Sequence, residues 1–393
     1  MEINQKKLEN NIWKFYLYEI LYSLMFYTPI IILFYQHNGL TLTQIMVLQS
    51  ISAIIWIVME IPTGHFADSI GKKKSLLITS VFATLAMIAF VLGTNFYYFL
   101  IATIFWALAG AFISGADSAF IYDTLKSLGK ENSYKKVWGN TVFFYSIGIS
   151  IASVVGGLLG GFNLRYPFLA MIPFYLLLIL VSLSFYEPEP RETFSKQSSI
   201  FNSMKAVKKS VFQNKKIRQL LLYSAIIASA IGVAYWLYQP YFKLSGLDAV
   251  YFGLVFATFN VIKALSAKYS HIIEELLGQN TSLVLLFLLT SLCYILMGNI
   301  IFIFSFVIVF IFQFIDGFSS VVISDYIHKE TDSTIRATVF SVKSFIEHIF
   351  YALMAPMVGW LVDVYTLPQA LTVMGIIIGI AGFILVVPFL KRN

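Results

Sequence analysis

Seven ionisable residues stand inside otherwise apolar stretches of this 393-residue chain: Glu19, Glu60, Asp117, Lys263, Asp316, Lys343 and Glu347, with His348 beside the last. A charge in an apolar medium is costly, so such a group either pairs with an opposite charge or serves a task, such as binding a charged solute or cycling a proton. Glu19 lies between Tyr18 and Tyr22, a setting that suits a cationic substrate or a proton. Asp117 sits in Ser114-Gly115-Ala116-Asp117-Ser118, whose small side chains leave room for a ligand or for another helix. Glu60 stands one helical turn before a polar segment that begins at Gly64. Lys343 and Glu347 are four residues apart, so they share a helix face and can neutralise each other. Asp316 is a competitor for Lys343, and the three read together as a network with one spare charge. The residues expected to bind substrate or protons are therefore Glu19, Glu60, Asp117, Asp316, Lys343 and Glu347. Lys263, near an expected helix end, reads as a side chain snorkelling toward lipid headgroups. For each acid the plain alternative is a structural group satisfied by hydrogen bonds or by its neighbour.

The elements that must position these residues follow from composition. Hydrophobic residues make up 59% of the chain and charged ones 12%, too few charges to coat a soluble protein of this size. A bilayer as solvent removes that requirement, and a helix of ~20 apolar residues crosses it. Twelve such runs are readable, roughly 12–36, 42–64, 75–93, 97–125, 137–161, 166–186, 218–243, 249–268, 281–298, 301–327, 338–362 and 368–389, with the cut near Gly298-Asn299 the faintest. The first run is too long for a signal-peptide core and is expected to remain as a span. If the N-terminus is cytoplasmic, 23 of the 27 Lys and Arg residues fall on the cytoplasmic side, so both termini are expected there. The net charge of +7 is then a consequence of topology and does not point to nucleic acid. A polar stretch, 187–217, divides an N-terminal six-span bundle (1–186) from a C-terminal one (218–393). Within it Phe201, Met204, Val207 and Val211 recur at helical spacing opposite Lys205, Lys208 and Lys209, which predicts an amphipathic helix on the inner leaflet. In span seven Tyr235, Trp236, Tyr238 and Tyr241 gather around Gln239 and Pro240; Pro240 can break the helix near its outer end, and the aromatics are expected to anchor it at the interface.

One loop carries a motif: Gly64-His65-Phe66-Ala67-Asp68-Ser69-Ile70-Gly71-Lys72-Lys73-Lys74, preceded by Glu60-Ile61-Pro62-Thr63. Gly71 permits a turn at positive φ, Asp68 is expected beside the positive end of the next helix, and the lysines face anionic headgroups. The loop resembles the G-x-x-x-D-x-x-G-[R/K]-[R/K] signature of the major facilitator superfamily, in particular its bacterial drug-exporter-like members. The resemblance implies an all-α integral membrane fold of twelve helices in two pseudo-symmetric six-helix bundles. It also implies a conformational gate made by Gly64, Asp68, Gly71 and Lys72 with an acid at the end of span four, where Asp123 stands. The chain departs from the pattern of proton-linked exporters in span five, where Gly148, Ala152-Ser153 and Gly156-Gly157 occur without a Gly-Pro pair. Internal duplication is also visible: Gly64, Asp68 and Gly71 meet His271, Glu275 and Gly278 at an offset of 207, while Gly115, Asp123 and Gly157 meet Gly317, Asp325 and Gly359 at 202.

These readings converge on a monomeric multi-pass transporter of the cytoplasmic membrane. It would move a small organic solute by alternating access, with proton-coupled export of lipophilic or cationic compounds preferred. Uptake of a zwitterionic or anionic metabolite is the alternative. Small solutes, protons and membrane lipids are the expected partners. There is no P-loop to bind ATP, and the single cysteine, Cys293, can form neither an internal disulfide nor a multi-cysteine metal site, so no cofactor is predicted. A polytopic enzyme is the remote alternative, resting only on His328-x-x-x-Asp332.

Overall fold

The computed structural model describes residues 2–188, 214–332 and 335–390; the amphipathic stretch 201–211 lies outside them. Helices α1 (Glu2–Ser23), α2 (Ile31–His37), α3 (Leu42–Ile70), α4 (Lys72–Leu92), α5 (Phe96–Ile113), α6 (Ala116–Ser127), α7 (Tyr134–Phe162) and α8 (Tyr166–Leu183) come first. They are followed by α9 (Lys215–Leu244), α10 (Ala249–Asn299), α11 (Val307–Lys329), α12 (Arg336–Val364) and α13 (Leu367–Leu390). No strand occurs among the described residues. Among the described residues ten helical segments are long and apolar enough to cross a membrane. The difference from the twelve expected runs has two sources. The first run is split into α1 and α2, and α10 joins the eighth and ninth runs across a break at Gly278, whose φ is 73°. Span four is also split, by the left-handed Gly115 (φ 76°) between α5 and α6. Pro240, in contrast, breaks nothing: α9 continues through it to Leu244.

The chain divides into two compact units, one from the described residues within 1–40, 51–194 and 249–257, the other from those within 41–50, 195–248 and 258–393. The division therefore passes through α3 and α10 as well as through the polar stretch. In the first unit the core is largely aromatic: Phe15, Tyr18, Phe34, Phe99, Phe120, Phe168 and Tyr175 are fully buried. The break after α1 is held by α7. Gly148 packs against Ser23, Gly156 against the Phe26 backbone and Gly160 against Ile30, so a side chain at any of the three would collide. This four-residue repeat of small side chains is what the span-five glycines are for, since backbones approach closely only over such a stripe. At the far ends of α2 and α4, the Arg165 guanidinium donates to the Gly93 carbonyl at 2.8 Å and the Asn38 side chain at 3.0 Å, and also to the Val91 carbonyl.

In the second unit two of the four span-seven aromatics are core, while Tyr235 and Trp236 are partly buried. Tyr238 and Tyr241 are fully buried, and Tyr238 meets Phe259, Phe312 and Phe242 ring to ring, so the expected interfacial anchoring does not hold for them. Tyr294 donates to the Ala230 carbonyl at 2.7 Å and Tyr223 to that of Leu283 at 2.8 Å, satisfying the polar ends of otherwise apolar rings.

Candidate functional site

The signature loop is built on three helix ends of the first unit. α3 runs on through Gly64 and Asp68 to Ile70, and Gly71 turns the chain at φ 121° into α4. Lys72 is then buried at the mouth of the turn, its Nζ 3.0 Å from Asp123 Oδ2 on α6 and 3.8 Å from Asp68 Oδ1. The side chains of Lys72 and Asp123 are 9% and 5% exposed, whereas that of Asp68 is 75% exposed, so the strong pair is Lys72–Asp123. The place expected for Asp68, beside the N-terminus of α4, is taken by Glu187. Its carboxylate accepts from the Lys72 amide at 2.8 Å and the Lys73 amide at 3.0 Å. Gly71 makes room for it, because a β-carbon there would lie 2.8 Å from Glu187 Oε2. Burial pushes the Glu187 carboxyl up from the ordinary glutamate value, against the two amides and the charges of Lys72 and Lys73 that pull it down. Glu187 had no signal in the sequence beyond its place at the end of the sixth apolar run. Gly64 contacts nothing that a β-carbon would strike.

Glu19 and Asp117 come together in the same unit. Glu19 is 5% exposed, and its Oε1 is buried without a hydrogen-bond partner. Asp117, half-buried, is close enough to interact electrostatically with Glu19, as is Tyr145 on α7. Both acids sit at helix breaks: Glu19 one turn before the end of α1, Asp117 in the first turn of α6, where it accepts from the Ser118 amide at 2.6 Å. A carboxylate at a helix N-terminus is favoured by the aligned amides, and Glu19 has no such support. Around them rings lie nearly parallel: Tyr22 to Trp106 at 6.1 Å and 11°, Trp106 to Tyr175 at 6.4 Å and 9°. Tyr175 donates to the Tyr22 carbonyl, which α1 leaves free where it stops. Glu60 is apart from this cluster, exposed on α3.

In the second unit the expected three-member network is two separate pairs. Lys343 and Glu347 bridge at 2.7 Å on α12, and the Ser224 hydroxyl also donates to Glu347 Oε1. Asp316 pairs with Lys263 at 2.6 Å, because α10 and α11 bring those two side chains together and leave Lys343 to its helical neighbour. Lys263 is thus an ion-pair partner and not a snorkelling side chain. The degenerate second copy of the loop keeps the turn at Gly278, but the contact across it is Tyr326 donating to Glu274 at 2.7 Å in place of a lysine–carboxylate bridge. Among the described residues no group of three or more His, Cys, Asp or Glu could hold a metal ion.

Residues 19–349 match the family model described as Major Facilitator Superfamily. The chain belongs to that superfamily. Among curated superfamily relatives it is 26% identical, over 63% of each chain, to the uncharacterized MFS-type transporter YxaM of Bacillus subtilis. It is 27% identical to Multidrug resistance protein 2 of the same organism, over 38% of this chain and 37% of that one. The matched regions therefore span less than two thirds of either relative. The crystal structure of the nucleoside transporter NupG superposes with a TM-score of 0.79 at 14% identity, covering 99% of this chain and 98% of that one. The superfamily fold thus extends over the whole chain, and both family and fold neighbours are transporters and not enzymes.

Proposed function

We propose that the chain is a secondary active transporter of the cytoplasmic membrane that exports lipophilic or cationic organic compounds by alternating access, driven by protons. The observation that carries this reading is Glu19, a carboxyl buried among aromatic rings with one oxygen unpartnered and a second acid, Asp117, in reach. As an anion there it is uncompensated, and either a proton or an organic cation relieves it. Competition between those two for one carboxyl couples their opposed movements. Aromatic faces beside it suit a flat or cationic solute. The likeness to a multidrug resistance protein supports the direction of export. The turn from α3 into α4 at Lys72 is the cytoplasmic gate in this scheme, with both termini on the same side, as the distribution of Lys and Arg supports. One observation favours a second reading, uptake of a zwitterion: the partly buried Lys343–Glu347 pair offers both charges that such a solute would need.

Proteoliposomes with an imposed pH gradient and a lumenal pH dye, challenged with cationic, zwitterionic and anionic solutes, test the proposal. Proton release evoked by lipophilic cations and lost in Glu19→Gln supports export. A response confined to zwitterions and abolished by Lys343→Ala replaces it with the second reading.

A further inference from the structure

We propose that the turn joining α10 to α11, 300–306, lies beneath the lipid headgroups and not in water, with lipid acyl chains as the partner of its exposed side chains.

Its composition separates it from other turns of the chain. None of residues 276–315 is charged, and the connecting segment Ile300-Ile301-Phe302-Ile303-Phe304 is apolar throughout. The turns at 93–95, 163–165 and 245–248 carry Asn95, Arg165 and Asp248 instead. The five apolar side chains are 38–65% exposed, so they are not there to fill the core of the second unit. Their surface continues onto both flanking helices, through Leu288 and Leu292 on α10 and Val307 on α11. Those helices are themselves long and apolar enough to cross a membrane, so one solvent, lipid, covers the faces of both and the turn between them.

The peptide groups of the turn are arranged as that solvent requires. Hydrocarbon offers no hydrogen bonds, so a turn within it must find its own. The Ile300 amide donates to the Leu296 carbonyl at 2.7 Å, and the Ile300 carbonyl accepts from the Tyr241 hydroxyl of α9, also at 2.7 Å. The Phe302 amide donates to Ser305 Oγ at 3.4 Å, and its carbonyl accepts from the Ser305 amide at 2.8 Å. Asn299, the nearest polar side chain before the turn, spends its amide inside the unit, on the Ile295 carbonyl at 2.8 Å and on Thr372 Oγ1 of α13 at 3.1 Å. Tyr241 is the positioning residue of this arrangement, because it supplies from another helix the donor that water would otherwise give.

Helix length agrees. At ~1.5 Å per residue, 279–299 measures roughly 31 Å and 303–325 roughly 35 Å, against ~30 Å of hydrocarbon. Spans tilt by about 20° on average, so helices anchored at Gln279 and Asp325 bring the turn to the hydrocarbon edge and not out into water.

The test uses full-length protein in nanodiscs of phosphatidylethanolamine and phosphatidylglycerol, with Cys293 replaced by Ser and a single spin-labelled cysteine. Phe302→Cys and Phe304→Cys report the turn, Leu288→Cys an exposed position within a span, and Thr94→Cys an exposed turn of polar sequence. Electron paramagnetic resonance reads collisions of each label with oxygen, which concentrates in hydrocarbon, and with a nickel chelate, which stays in water. The ratio of oxygen to nickel collisions at 302 and 304 is expected to match that at 288 and to exceed that at 94. A ratio matching that at 94 overturns the proposal. So do low collision rates with both reagents together with spin–spin broadening, the sign that a second copy of the chain covers the patch. Tyr241→Phe leaves the Ile300 carbonyl without its donor in lipid, and it is expected to lower the ratio at 302 toward the value at 94 while the ratio at 288 holds. An unchanged ratio at 302 in folded Tyr241→Phe protein overturns the role given to Tyr241.

Discussion

Glu19 and Glu187 are both glutamates withdrawn from water at helix ends of the first unit, and they do opposite things. Glu187 has amide donors that reward its charge, whereas Glu19 has an orphaned oxygen that penalises it. Glu19→Gln keeps the shape and removes the exchangeable proton, so proton-driven transport should fall at least about tenfold while thermal stability in detergent holds or rises. Asp117→Asn should cost less, because Asp117 already rests on the Ser118 amide and the α6 N-terminus. Glu187→Ala strips two amides of their acceptor and should lower stability by about 1 kcal/mol, the usual cost of losing a cap, readable as a drop in melting temperature. At this scale the sequence spoke unevenly. Lys72 and Asp123 were legible because the loop motif names their types. Glu187 was not, since its partners lie 115 residues away and no periodicity marks a long-range cap. Which acid Lys343 would take was open in the sequence for the same reason; the packing of α10 on α11 decided it by giving Asp316 to Lys263.

Among the elements, the broken spans carry the most meaning. Discontinuous helices in transporters free backbone groups near a binding site, and here the breaks after α1 and before α6 bracket Glu19 and Asp117. Gly115 has open space around it, so Gly115→Ala pays only for the left-handed backbone, about 1 kcal/mol, unless α5 and α6 fuse into one straight helix. The measurement is the melting temperature together with solute-evoked proton release: fusion would spare stability and abolish transport. Gly156→Leu must drive a side chain into the Phe26 backbone, and it should cost 1–3 kcal/mol or more, about what overpacking a tight contact costs. The helical runs were readable from apolarity because lipid imposes it along their whole length. Their interruptions were harder to read: in Leu24–Ile30 only Thr28-Pro29 departs from an apolar run, and the glycine stripe packed against it lies on a different helix.

For the whole molecule, the charge distribution gives the sharpest expectation. A cysteine at Ser133, in the lysine-rich turn between α6 and α7, should react with impermeant reagents in inside-out vesicles and not on intact cells; the reverse result would invert the topology. The internal duplication seen in the sequence acquires a physical reason. Gly157 and Gly359, equivalent by offset, both sit where another backbone comes within van der Waals contact, Gly157 against Gly253 and Gly359 against Leu42. What composition could not reveal is that the two halves of the sequence are not the two units of the structure. The first nine residues of α3 and the first nine of α10 are lodged with the unit that the rest of their own half does not form. Two chains made by cutting the gene within the polar stretch would each carry a helix end whose neighbours had been left on the other polypeptide. Such fragments should be recovered together from one cell and degraded when expressed apart.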